Sequence, residues 1–329
     1  MTDDLTSFPI PTRSADIWIR DPLRSSVEAA TGGLCTVLYT AKGQPSYFRI
    51  TPKFLCEDFA PGGELGTGVF PAFIEDGVEV NEIFTGMYQM AEVDGEGVSQ
   101  PGRAPRVSIN WQNSRNLMQA CGPGFDMMTV WDWAAVVLWS AAHGHDMRGN
   151  TQFGRHHNER HETGRRVGPG HPGEDIGAAA GNVLTGSGPN SWRHDNSPAG
   201  IADLVGNVWE WLLGFKQVDG RIHLAEDNGP NALEESNWLD TGWDMPTART
   251  WRNVDSEGAS LELKRSLIVP NGARDPDGYF YTNLEGERFP CRGGSRTNGS
   301  NAGPAALSLS NARTHSFAHF GSRPRFRNP

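Results

Sequence analysis

The chain runs short of reactive side chains toward its end. After Glu287 it has no Asp or Glu, after Lys264 no Lys and after Cys291 no Cys. A stretch without carboxylate, lysine or thiol has few means of acid, base or nucleophilic chemistry. What fills it from Arg292 onward is Gly, Ser, Asn, Ala, His and Arg, in RGGSRTNGSNAGPAALSLSNARTHSFAHFGSRPRFR. Isolated apolar residues (Leu307, Leu309, Phe320, Phe326) and Gly293, Gly294, Gly303 and Gly321 punctuate it, which is the pattern of a folded segment with tight turns and not of a disordered tail. Side chains of this kind on a rigid frame suit adaptable contact.

Other scarcities exclude further classes. The four cysteines (Cys35, Cys56, Cys121, Cys291) are far apart and lack CxxC spacing, so they read as reduced, partly buried thiols. No segment approaches the roughly 18 apolar residues of a membrane span, so no membrane insertion is expected. The opening MTDDLTSFPIPTRSADIW has acids where a signal peptide needs basic residues, which points to cytoplasmic synthesis. A formal charge of -10 argues against nucleic-acid binding. The arginines gathered at the end (Arg288, Arg292, Arg296, Arg313, Arg323, Arg325, Arg327) read as structural partners of the acidic remainder. Tyrosine (5) is scarcer than tryptophan (11), so tryptophans should anchor the core.

Local signals then place elements. LCTVLYT (34–40) and YFRI (47–50) read as strands within residues 1–68, which are expected to form an arm or small β-unit for attachment or oligomerisation. Two strands should meet near Asp76-Gly77, a dipeptide suited to a hairpin turn. Asn110 caps a predicted helix that Gly122-Pro123 stops. Thr129 and Asp132 approximate a capping box for a second, with Trp133, Val136, Val137 and Ser140 on one face. Residues 144–200 read as a long polar loop, and 218–289 as short strands broken by turns.

Several constellations invite chemistry. Gly168 to Gly173 matches GxGxxG, but Pro169 and Pro172 remove donors and neither a strand nor a helix flanks it. His156, His157 and His161 with Glu159 and Glu162 resemble a zinc cluster, yet the glycines around them favour a solvated loop. No GxSxG elbow supports a hydrolase. In GNVWEW (206–211), Trp209 and Trp211 share a face and Val208 and Glu210 the other. A glutamate between tryptophans needs either a hard cation, with Asp203 and Gly206 as companions, or an arginine, and the residues leave both open.

From about Val69 to Phe326 the order EDGVEVNEIFTGMYQ, NWQNSRNLMQACG, MTVWDWAAVV, RGN, GIADLVGNVWEW and CRGGS resembles the formylglycine-generating-enzyme type of C-type lectin fold. Its ending is similar to the variable region of diversity-generating retroelement proteins, matching at Gly293, Gly294, Ser295, Asn298, Gly299, Ala302, Gly303, Ala306, Leu307, Leu309, Asn311, Arg313, Gly321 and Arg323. Ser308, Ser310, His315, Phe317 and His319 stand where such regions usually carry Asn, and Arg296 and Ser322 where Trp and Phe are usual.

The resemblance implies an α+β C-type lectin domain over residues 69–329, with two scaffold helices, short antiparallel strands, much loop and a variable region at about 292–326. It implies a non-catalytic protein that binds a protein or glycan receptor through Thr297, Asn298, Ser300, Asn301, Ser308, Ser310, His315, Phe317, Ala318 and His319. No cofactor is required on this reading. The enzymes of the type hold calcium beside this strand, which makes Asp203, Gly206, Val208 through its carbonyl, and Glu210 candidate ligands. The rival readings are a formylglycine-generating-type oxidase, weakened because no cysteine follows Cys291, and a structural virion or surface protein. A homo-oligomer and carriage in a phage particle also fit the resemblance.

Overall fold

The computed structural model describes residues 21–247 and 249–328, with 178 and 179 described by backbone alone. Two antiparallel-dominated sheets and two scaffold helices between residues 111 and 142 make an α+β architecture. A third helix of nine residues, Pro22–Ala30, stands in the region expected to be an arm or small β-unit. The first sheet has the strand order Cys35–Tyr39, Pro45–Pro52, Glu82–Gly86, Pro324–Phe326, Phe125–Met127. All its pairings are antiparallel, as in Arg49↔Thr85 and Pro324↔Met127. The strand nearest the C-terminus therefore lies inside a sheet begun by residues 35–52. No boundary at residue 68 separates these strands from the rest, because Phe48↔Gly86 and its neighbours pair across it. Residues 1–20 of the expected arm lie outside the described residues.

The second sheet runs Leu239–Asp244, Arg221–Leu224, Phe215–Val218, Glu287–Gly293, Gly303–Asn311, Phe280–Thr282. Trp209–Trp211 joins it by pairing antiparallel with Glu287–Gly293 and parallel with Phe320–Ser322. The segment from 294 to 319 is thus clamped at both ends. Glu287–Gly293 anchors its start in one sheet, and Phe320–Ser322 with Pro324–Phe326 anchors its end in both.

Local chemistry fixes the two helices where their caps lie. Trp111–Gln119 begins at Asn110, whose side chain accepts from the Asn113 N–H. Val130–Ala142 begins at a complete capping box, Thr129 with Asp132. The second helix is buried on all sides from Val130 to Leu138, beyond the single face that its spacing suggested. It forms the centre of the main core, packed by Phe70, Phe73, Phe215, Leu307 and Leu309. Arg325 of the C-terminal strand lies 3.0 Å from the capping carboxylate of Asp132, tying chain end to helix start.

Tryptophans anchor the interior. Trp111, Trp131, Trp133, Trp192, Trp211 and Trp251 are all fully buried. Each indole N–H reaches an acceptor, such as Leu212 O from Trp111 at 2.8 Å and Pro304 O from Trp133 at 2.9 Å. These six rings are buried without stranding their indole N–H. The expected hairpin forms at Ile74–Glu75 and Val78–Glu79, with Asp76 and Gly77 both at positive φ. A short helix, Leu261–Arg265, breaks the region expected to hold only strands, started by the Ser260 cap. The four thiols are free and buried. Among the described residues, no helix is long and apolar enough to cross a membrane.

Candidate binding face

The Gly303–Asn311 strand has two sides. Leu307 and Leu309 enter the main core, while Ser308 and Ser310 turn to a cavity of about 240 Å³ on the other side. Period-two alternation makes this division. Thr297, Asn298 and His319 join the serines there, over a floor of Trp209, Tyr281 and Phe320. Trp209 meets Tyr281 edge to face at 5.8 Å. Asn298 is held by Ser295, whose backbone N–H and hydroxyl both donate to its Oδ1 at 2.8 Å, and it donates in turn to the Tyr281 hydroxyl at 3.1 Å. Asn311 donates to Ser308 Oγ at 3.0 Å.

Beside this cavity runs the loop 312–319. Phe317 is 43% exposed, lies nearly parallel to His319 with centroids 5.6 Å apart, and meets Phe320 edge-on at 5.1 Å. His315 packs against Phe317 at 5.7 Å. Main-chain atoms fasten the loop to the scaffold. Ser108 N donates to Phe317 O (3.0 Å), Trp209 N to His319 O (2.8 Å), Trp111 N to Arg313 O (3.3 Å), and Arg296 to Ala318 O (3.1 Å). Arg313 adds a clamp of its own, gripping both Glu235 oxygens at 2.6 Å and lying 4.5 Å over the Phe289 ring. Burial, then the nearby Arg296, lowers the His319 pKa below the usual histidine value.

The ten expected contact residues thus divide. Thr297, Asn298, Ser308, Ser310 and His319 share one cavity, flanked by His315 and Phe317. Ser300 and Asn301, on the turn Gly299–Asn301, line a separate cleft of about 910 Å³ with Arg148, His156, His157, Arg252 and Tyr279. Ala318 contributes its carbonyl to Arg296 and Asn182. Ser308 is buried instead of facing outward, its hydroxyl accepting from Asn311. Trp209, Tyr281, Asn311 and Phe320 belong to the cavity but were not foreseen, although the alternation in GNVWEW had already set Trp209 opposite Glu210.

Arg296 and Ser322 occupy the positions usually held by Trp and Phe. Arg296 is buried and donates to Asn182 Oδ1 at 2.7 Å, while the Ser322 hydroxyl lies 3.8 Å from Met90 Sδ. The acid partners expected for the terminal arginines are found for Arg313, Arg323, Arg325 and Arg327. Arg292 differs. Fully buried, it donates to the carbonyls of Ala305, Ser266 and Leu267, and burial brings its pKa down to about 9.

The histidine-rich stretch is less solvated than expected. His156 and Glu162 are buried, the His156 ring accepting from Glu159 N and Glu162 accepting from the Trp192 indole at 3.0 Å. His157 Nδ1 lies 2.9 Å from Thr151 Oγ1, and His161 stays exposed. Among the described residues, no group of three or more His, Cys, Asp or Glu is placed to hold a metal. Glu210 meets an arginine. Its two oxygens accept from Arg323 at 2.7 and 2.9 Å, both side chains being buried.

No family model and no curated protein matches the chain. Among solved structures, Treponema denticola variable protein 1 is similar with a TM-score of 0.37 and 10% identity, over 90% of this chain and 99% of that one. The Major Tropism Determinant P3c variant is similar at 0.35 and 13%, over 89% and 71%. For the I1 variant the values are 0.34 and 14%, over 74% and 50%, so the chain spans half the length of that protein. At this distance the role of the face rests on its own geometry.

That geometry separates what is held from what is shown. The loop's backbone is pinned, the strand's leucines are inside, and the side chains at 310, 315, 317 and 319 lie at least partly at the surface. The thiols are less available. Burial pushes Cys121 up to about 12 and Cys291 well above the usual value, which leaves little thiolate for nucleophilic or redox work.

Proposed function

We propose that the chain is a non-catalytic binding protein of the C-type lectin type, whose C-terminal face is diversified by a retroelement and holds a protein or glycan partner. One observation carries this reading: the 312–319 loop is fastened to the scaffold through main-chain carbonyls at 313, 317, 318 and 319. Bonds of that kind are indifferent to the side chain. His315, Phe317 and His319 can therefore change while the loop keeps its path. Phe317 supplies buried contact area, and Ser310 and Thr297 supply adjustable hydrogen bonds around it, beside Asn298, whose amide Ser295 and Tyr281 hold in place.

Two tests bear on it. The DNA beside the coding sequence should contain a reverse-transcriptase gene and a near-copy of the last hundred or so bases that differs at adenines. A library randomised at Thr297, Ser310, His315, Phe317 and His319 should keep a cooperative melt in most clones and yield binders to an unrelated globular protein such as lysozyme. Widespread unfolding in that library would sink the proposal.

A further inference from the structure

The resemblance implies calcium on Asp203, Gly206, Val208 and Glu210. The main-chain oxygens of the first three and the carboxylate of the fourth do converge, but on another side chain. Gln89 Nε2 lies 2.9 Å from Asp203 O, 3.0 Å from Glu210 Oε1, 3.4 Å from Val208 O and 3.5 Å from Gly206 O. Gln89 is fully buried. Its own Oε1 accepts from Asn207 Nδ2 at 2.7 Å, which fixes the amide's orientation. A flipped amide would set an oxygen among four oxygens and a nitrogen against a nitrogen.

The loop is shaped to make this cage. Asp203, Gly206 and Asn207 all have positive φ (62°, 75° and 62°), a backbone course that non-glycine residues adopt at a cost. The bend turns the carbonyls of 203, 206 and 208 toward a single point. A calcium ion there would need six to eight oxygens at about 2.3–2.6 Å, and the Gln89 amide already fills that volume. Charge speaks the same way. The negative charge of Glu210 is neutralised by Arg323, so a dication would leave uncompensated positive charge in the interior. Asp203 turns its carboxylate away, Oδ2 accepting from Gly186 N at 2.7 Å. Its Oδ1 is buried without a hydrogen-bond partner, but it belongs to the carboxylate held by Gly186 and is not one of the oxygens that meet at Gln89.

We infer that the carboxamide of Gln89 stands in for the cation, cross-linking the 203–210 loop to the strand region before it and making the frame of the binding face independent of metal. The residues do not fit calcium while Gln89 is present. The test uses the whole chain, melted in excess calcium and in EDTA. The expected result is one melting temperature in both, since a ligand bound only by the folded state would raise it. A lower melting temperature in EDTA would overturn the inference. Gln89→Glu replaces the donor by an acceptor among four acceptors. It should melt well below the parent chain in EDTA and recover at least half of the loss in calcium. Melting like the parent chain in EDTA would overturn the donor role. If the variant fails to fold in either buffer, the calcium and EDTA comparison on the unaltered chain decides alone.

Discussion

The two sides of the C-terminal segment obey opposite rules. Inward, Arg292, Leu307, Leu309, Arg323 and Arg325 are buried, and each side chain has defined partners in the core or on backbone carbonyls. Outward, Ser310, His315, Phe317 and His319 touch mainly one another and the cavity, while the backbone beneath them is bonded to Ser108, Trp111 and Trp209. Specificity of fold and freedom of surface thus coexist within a stretch of some thirty residues because the fixing bonds use the inner side chains and the main chain. Gly293 shows how tight the inner side is. At φ +87°, a Cβ there would collide with Leu204 O.

Breaking the inner side should have the largest effects. Arg323→Ala would strand the buried Glu210 carboxylate and release the carbonyls of Gly86 and Ala202, which Arg323 also reaches at 3.0 and 2.8 Å. Loss of one partner of such a pair costs about 3–5 kcal/mol, readable in urea unfolding, and a loss comparable to a surface substitution would refute the division drawn here. Leu307→Ala comes next. It removes a fully buried side chain from the main core and should cost roughly 2–5 kcal/mol in the same measurement.

How much of this could be read beforehand depended on the range of the determining contacts. The Asn110 and Thr129 caps and the Asp76-Gly77 turn are written within a few residues, so those elements were legible. The insertion of Pro324–Phe326 between Glu82–Gly86 and Phe125–Met127 depends on partners some two hundred residues away, and no local pattern announces it. The same holds at the site. Ser308, Ser310 and His319 are legible through resemblance alone, whereas Tyr281 reaches the cavity only through parallel pairing with Ser308. Glu210 needs either a cation or an arginine by its sequence context, but Gln89, though it closes the EDGVEVNEIFTGMYQ motif, carries no local signal that its amide meets the 203–210 loop.

Acid should distinguish the two sides by a different route. Inside, burial brings the His194 pKa down to about 3, and its Nδ1 accepts from Ile201 N at 2.9 Å. The unfolded chain binds that proton near the ordinary histidine value while the folded chain resists it. The stabilisation is therefore full above about pH 6.5 and is lost as pH falls from there toward 3. Melting temperature should drop across that window, and His194→Asn should flatten part of the drop. His319 is also lowered, first by burial, so acid should charge the binding cavity as well. His319→Asn should therefore flatten the drop as well, but by less than His194→Asn, whose group is the more deeply buried; equal flattening would blur the two sides.

The smallest effect tests the rim between them. Ser308 and Ser310 lie on the same side of one strand, yet Ser308 is buried and accepts from Asn311 while Ser310 is only half-buried. Ser308→Ala should therefore cost about 1 kcal/mol, the worth of an ordinary hydrogen bond. Ser310→Ala should stay within about 0.5 kcal/mol, as surface changes do. Paired urea titrations would resolve the difference. Equal costs would place the border between frame and display elsewhere on the strand. The expected inequality would make Ser308 a position where substitution is limited by Asn311, and Ser310 one where it is not.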